Sequence, residues 1–230
     1  MNRLINKVKR DLHLYDLIKG SSIAFLSRVL GMVIMYIFIM ISGQIYGPHS
    51  IGVIALSMAL ITIGSVIGRL GMDTYILKQT AIHYVRNGQN YLITTYVALL
   101  KVVIPVSLGI SIIIFFSSNF LAEEVFHDSS LIHPFEISAI FLTFFSLFFI
   151  NTEIFRGMKK ITIFSLLKNT VTPIISLILL LLLIFFYQGH NLNPFYAQVS
   201  AIFLVSLISI IFLLKFFNFK LDFLEKPKRR

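Results

Sequence analysis

The polar residues of this chain fall in short intervals separated by long apolar stretches, at about 20–46, 51–77, 91–118, 137–155, 161–187 and 195–217. Each stretch approaches or exceeds the roughly 20 residues that a helix rising about 1.5 Å per residue needs to cross a bilayer core. The runs are continuous rather than alternating with period two. They predict helices, which satisfy their own backbone polar groups, and not a barrel. The expected fold is an all-α integral membrane protein with six transmembrane helices. The first run begins near residue 18 and is too long for a signal-peptide core, and no small-x-small cleavage site follows it, so it reads as an uncleaved signal anchor.

The intervals between the runs set the orientation. Residues 1–19 carry Arg3, Lys7, Lys9, Arg10 and Lys19 against Asp11 and Asp16, interspersed with apolar residues, and predict a short amphipathic helix on the inner membrane face. Lys78 and Arg86 mark the second loop, Arg156, Lys159 and Lys160 mark the fourth, and the tail 218–230 is strongly basic. The first, third and fifth loops hold no Lys or Arg. The third, Asn119 to Glu136, is the longest, and its formal charges are all acidic: Glu123, Glu124, Asp128 and Glu136. This alternation satisfies the positive-inside rule at each crossing and predicts that both termini are cytoplasmic.

Composition narrows the function. At 57% hydrophobic and 13% charged residues, with mean hydropathy +0.88, the chain is far too apolar for a soluble domain with one core. A net charge of +10 would suit nucleic acid, but the charges are not gathered on a soluble domain, so no nucleic-acid partner is expected. The absence of cysteine excludes disulfides and thiol chemistry. There is no HExxH and no GxSxG, so an intramembrane enzyme is not expected, nor a cofactor or metal. His127, Asp128 and His133 share the third loop without metal-ligand spacing and read as ordinary surface residues.

Charges inside the apolar runs are more informative. A charged side chain within a span costs at least about 2.5–3.5 kcal/mol on insertion scales, so it tends to persist where it faces a protein interior or a wet cavity. Counting about 1.5 Å per residue from the predicted cytoplasmic ends, Arg28 lies roughly 12 Å deep, Arg69 about 13 Å, Lys101 about 15 Å and Lys168 about 10 Å. Four cations on four helices would share one layer. Asp73, four residues after Arg69, and Glu153, three before Arg156, are spaced for same-helix ion pairs and are the candidate coupling residues. Two readings stay open. In one, the long side chains snorkel to the interface. In the other, they line a cationic cavity open to the cytoplasm that binds an anionic headgroup, for which a pyrophosphate-linked lipid is a natural ligand. Gly64 and Gly68 form a GxxxG pair that permits close helix approach, and Pro105 and Pro173 should each weaken a helix about one turn earlier.

The segments KGSSIAFLSRVLG, QIYGPHSIGVIALSMALI and RLGMDTYILKQ, within Lys19 to Gln79, resemble the opening of the polysaccharide and O-antigen flippases of the multidrug/oligosaccharidyl-lipid/polysaccharide exporter superfamily. SRVLG at Ser27 to Gly31 is also similar to the first span of the lipid II flippases, whose matching arginine lines a cationic cavity; this supports Arg28 and says nothing of Arg69. The resemblance implies a transporter of the bacterial inner membrane that turns a lipid-linked oligosaccharide, on undecaprenyl pyrophosphate, from the inner to the outer leaflet. Such proteins have twelve to fourteen spans in two six-helix lobes, and this chain supplies one MATE-like lobe. A second lobe is then an expected partner, as another copy of this chain or a separate protein. The alternatives are a cation-coupled multidrug exporter of the same superfamily, a non-transporting membrane assembly protein, or a truncated, inactive lobe.

Overall fold

The computed structural model describes residues 12–86, 88–186 and 191–216; the expected amphipathic segment up to residue 11, the turn at 187–190 and the basic tail lie outside the described residues. Among the described residues every regular element is helical. In chain order these are α1 (Leu12–Arg69), α2 (Met72–Arg86), α3 (Gly88–Phe116), α4 (Ile132–Gly157), α5 (Ile161–Ser165), α6 (Thr172–Phe186) and α7 (Asn193–Phe216). A π-helical stretch, Leu166–Val171, joins α5 to α6, so Ile161–Phe186 is one continuous rod. Five stretches are long and apolar enough to cross a membrane: Gly20–Arg69, Tyr91–Phe116, Ser129–Gly157, Ile161–Phe186 and Asn193–Phe216.

The first of these takes in two of the expected spans. Its helical course is interrupted only at Gly47, with φ 82° and ψ 172°, a conformation that a residue with a Cβ scarcely reaches. Pro48 follows at a position where its missing N–H leaves no helical bond broken. In a straight helix Met35 and Met58 would be about 35 Å apart. Instead both line one pocket of about 360 Å³, so the two arms of α1 fold back against each other at Gly47. A second break, at Leu70 (φ 49°) and Gly71 (φ 74°), separates α1 from α2.

The predicted polar third loop is mostly helical. Ser118–Phe120 runs into a π turn at Leu121–Val125, and α4 begins at Ile132, five residues before its expected start. The Asp128 carboxylate accepts the Ser130 amide at 2.9 Å and so caps the short turn Ser129–Leu131 that leads into α4.

The bundle keeps an apolar core around Phe38, Phe135, Phe155 and Phe195, but its surface is apolar as well. Phe116, Phe185 and Phe186 are among the most exposed side chains, whereas Ser42, Ser57, Ser65, Ser107, Ser146 and Ser206 are fully enclosed. In lipid, apolar contact gives helices no special reason to associate, so small residues that allow close approach and polar groups that pair across helices hold the bundle. Gly64 packs against Leu142 of α4 and Ile114 of α3, and Gly68 against Ser107 of α3 and Ser146 of α4. The Tyr96 hydroxyl donates to Asn151 Oδ1 at 2.7 Å, and Asn151 Nδ2 donates to Ser209 Oγ at 3.0 Å, tying α3, α4 and α7 together. α4 is the central rod, in contact with α1, α2, α3 and α7.

Candidate functional site

The site is built where the first arm of α1 crosses the π-helical stretch. Pro173 has no N–H, so the carbonyl of Asn169 loses its partner four residues on, and the chain widens into the π turns of Leu166–Val171. That carbonyl faces Gly31. A Cβ on Gly31 would lie 1.8 Å from Asn169 O, so only glycine admits the approach. One turn away, Thr170 Oγ1 donates to the Ser27 carbonyl at 2.9 Å and closes the contact. The Ser27–Gly31 segment is therefore the seat of the rod Ile161–Phe186, and Arg28 projects beside it.

Next to this crossing is a cleft of about 870 Å³ whose wall includes Phe25 and Arg28 of α1, Leu77 of α2, Arg156 and Lys159 at the end of α4, and Phe164, Lys168 and Asn169. Four cations line it. Arg156 Nη1 lies 3.2 Å from Glu153 Oε2, and Lys168 Nζ lies 3.4 Å from Glu153 Oε1. The Glu153 side chain is only 9% exposed and sits behind its two partners rather than in the wall. Among the described residues neither Arg28 nor Lys159 has an ion pair. The Phe164 ring backs Arg156 at 5.5 Å and Lys168 at 5.1 Å. Lys160, just outside the cleft, stacks its ammonium 3.3 Å from the Phe216 ring centroid, and burial lowers its pKa.

The expected four-cation layer divides. Arg28 and Lys168 meet in the cleft. Arg69 does not reach it, being 6% exposed and enclosed by the Phe149 ring at 4.3 Å, Ser65 Oγ at 3.2 Å and Asp73 at 3.7 Å. Lys168 Nζ lies 5.1 Å from the centroid of that same ring, so Phe149 packs against both cations. Lys101 is exposed on α3 and lines no part of the cleft. The Arg69–Asp73 pair is not on one helix, because the breaks at Leu70 and Gly71 put Arg69 at the end of α1 and Asp73 in the first turn of α2. Arg156, which the sequence marked as a loop cation and as the same-helix partner of Glu153, and Lys159, which it marked only as a loop cation, complete the cleft. The signal was present: three cations within five residues follow Glu153 at a helix end. His49 of α1 lies 3.9 Å from Asp128 and 3.1 Å from Ser130 of the third loop, a contact that no local spacing announced.

No protein-family model and no curated protein matches the sequence. Solved structures do match. The chain is similar to a multidrug resistance MATE family transporter of the MOP superfamily in an outward-facing conformation, with TM-score 0.75, 15% identity and coverage of 89% of this chain and 46% of that one. It is similar to a point mutant of a MATE protein with TM-score 0.74 and 15% identity over 89% of this chain and 46% of the other. It is also similar to a MATE in complex with MaL6, with TM-score 0.72 and 14% identity, covering 90% and 48%. The fold is that of about half of a MATE transporter, and the chain spans about half the length of the solved chains it matches.

Proposed function

We propose that this chain is a six-crossing lobe of a membrane transporter that moves an amphiphile with an anionic headgroup, of the lipid-linked oligosaccharide type on undecaprenyl pyrophosphate. Counting the two arms of α1 separately with α3, α4, the rod Ile161–Phe186 and α7 makes six crossings. The charge pattern of the loops then predicts both termini in the cytoplasm of a bacterial inner membrane. The observation that carries the substrate reading is the cleft itself, in which Arg28, Arg156, Lys159 and Lys168 converge and, among the described residues, only Glu153 opposes them. Arginine holds two phosphate oxygens at once, and the apolar wall beside the cations suits a lipid tail. A second lobe, as another copy related by an axis along the membrane normal or as a separate chain, would supply the facing wall; an even number of crossings lets an identical copy insert in the same orientation.

A cation-coupled multidrug exporter is the second reading, favoured by the description of one structural neighbour as a multidrug resistance transporter. Reorientation of a lipid-linked oligosaccharide in proteoliposomes separates the two. The wild type is expected to flip it, Arg28→Ala to fall at least about tenfold, and Lys101→Ala to match the wild type. Export of a cationic dye, with no lipid reorientation and no loss in Arg28→Ala, would establish the exporter instead.

A further inference from the structure

The cations of the cleft are of two kinds. Arg28 and Lys159 have no carboxylate partner among the described residues, whereas Arg156 and Lys168 share one, Glu153. No other described carboxylate contacts a cation of the cleft: Asp73 is paired with Arg69, which lines no part of it. Glu153 is nearly enclosed, but its partners are not, the Arg156 side chain being 52% exposed and that of Lys168 31%. Both contacts, at 3.2 and 3.4 Å, are longer than the roughly 2.7–2.9 Å of a strong charge-assisted hydrogen bond. The carboxylate therefore holds two flexible cations from behind without saturating either.

We infer that Glu153 is the resident counter-ion of the cleft. It holds Arg156 and Lys168 when the cleft is empty, yields both to an incoming phosphate headgroup, and takes them back when the headgroup leaves. A phosphate presents more acceptor oxygens than one carboxylate and displaces it from these cations. The carboxylate stays behind them as an internal competitor, which limits affinity and speeds release. Without such a competitor, four cations would hold a pyrophosphate too tightly for turnover. Glu153 thus acts through its two partners as a positioning residue. The inference rests on the cleft's being an anion site, as proposed above.

The test is calorimetric titration of farnesyl pyrophosphate into the full chain purified in detergent. Glu153→Gln is expected to bind about tenfold more tightly than the wild type, the reverse of what loss of a merely structural residue would do. Its single-turnover release of the probe should slow by a similar factor. Equal or weaker binding by Glu153→Gln, with Arg28→Ala still abolishing binding, overturns the counter-ion role and leaves the anion site standing. Absence of binding by both the wild type and Glu153→Gln overturns both. Should Glu153→Gln lose its helical circular-dichroism signal, Glu153→Asp replaces it. The shorter carboxylate draws back from contacts that are already 3.2 and 3.4 Å, so severalfold tighter binding is expected, and unchanged affinity overturns the inference.

Discussion

Gly31→Ala is the sharpest perturbation of this fold. The added Cβ would meet the Asn169 carbonyl oxygen at 1.8 Å, whereas carbon–oxygen contacts settle at about 3.3 Å or more, so the two backbones must part by about 1.5 Å. Neither side can yield easily, because the oxygen belongs to the backbone of a rod and not to a side-chain tip. Separation by that amount breaks the buried hydrogen bond from Thr170 Oγ1 to Ser27 O, now 2.9 Å, and leaves a hydroxyl unpaired at about 1–3 kcal/mol. Overpacking elsewhere along the crossing adds about 1–3 kcal/mol. The total, about 2–6 kcal/mol, corresponds to a fall in Tm of roughly 5–20 °C for a chain of this size. Thermal unfolding in detergent, followed by circular dichroism, measures it. Gly109→Ala is the control, since a Cβ there meets nothing within 4 Å. A Gly31→Ala protein that melts within about 2 °C of the wild type would refute the close crossing, and with it the placement of Arg28 beside Lys168.

Other outcomes follow from the same geometry. Arg69→Met removes a cation packed on Phe149 and beside a partly exposed Asp73, and should lower stability by about 1–2 kcal/mol while leaving farnesyl pyrophosphate affinity within about twofold of the wild type. Gly47→Ala forces a Cβ into φ 82° and should destabilise by about 1 kcal/mol or more in the same melting assay. The Asp128 carboxyl is held below its ordinary pKa by the Ser130 hydroxyl and amide. Its folded value being depressed, the stabilisation of the Ser129–Leu131 turn is complete above the unfolded value and disappears as pH falls through the folded one. Hydrogen exchange at the Ser130 amide should therefore lose protection only below about pH 4, and Asp128→Asn should remove that dependence.

Much of the architecture was legible because a bilayer imposes it locally. A span needs continuous apolar length, which the runs of this chain supply; from Tyr91 onward each run overlaps one helical stretch, although α4 starts five residues ahead of its run. GxxxG at Gly64 and Gly68 announced a close approach, and Pro173 announced a weakened turn inside the π stretch, whereas Pro105 leaves α3 unbroken. Which helices would approach was not written there. Contact between Gly64 and Leu142, or between Gly31 and Asn169, joins residues far apart in sequence, and period and composition carry no record of it.

The same division holds for the candidate site. Depth along a helix follows from counting residues, so the sequence by itself predicted Arg28, Arg69, Lys101 and Lys168 in one layer. Rotation about the helix axis and the identity of the neighbour do not follow from counting. Only the folded bundle decided that Arg69 packs on Phe149 outside the cleft, that Lys101 faces outward, and that the end of α4 brings Arg156 and Lys159 to Arg28. The physical reason is that insertion into a membrane depends on length and polarity along one helix, which are local, whereas a binding site is made by side chains converging from several helices, which only packing can arrange.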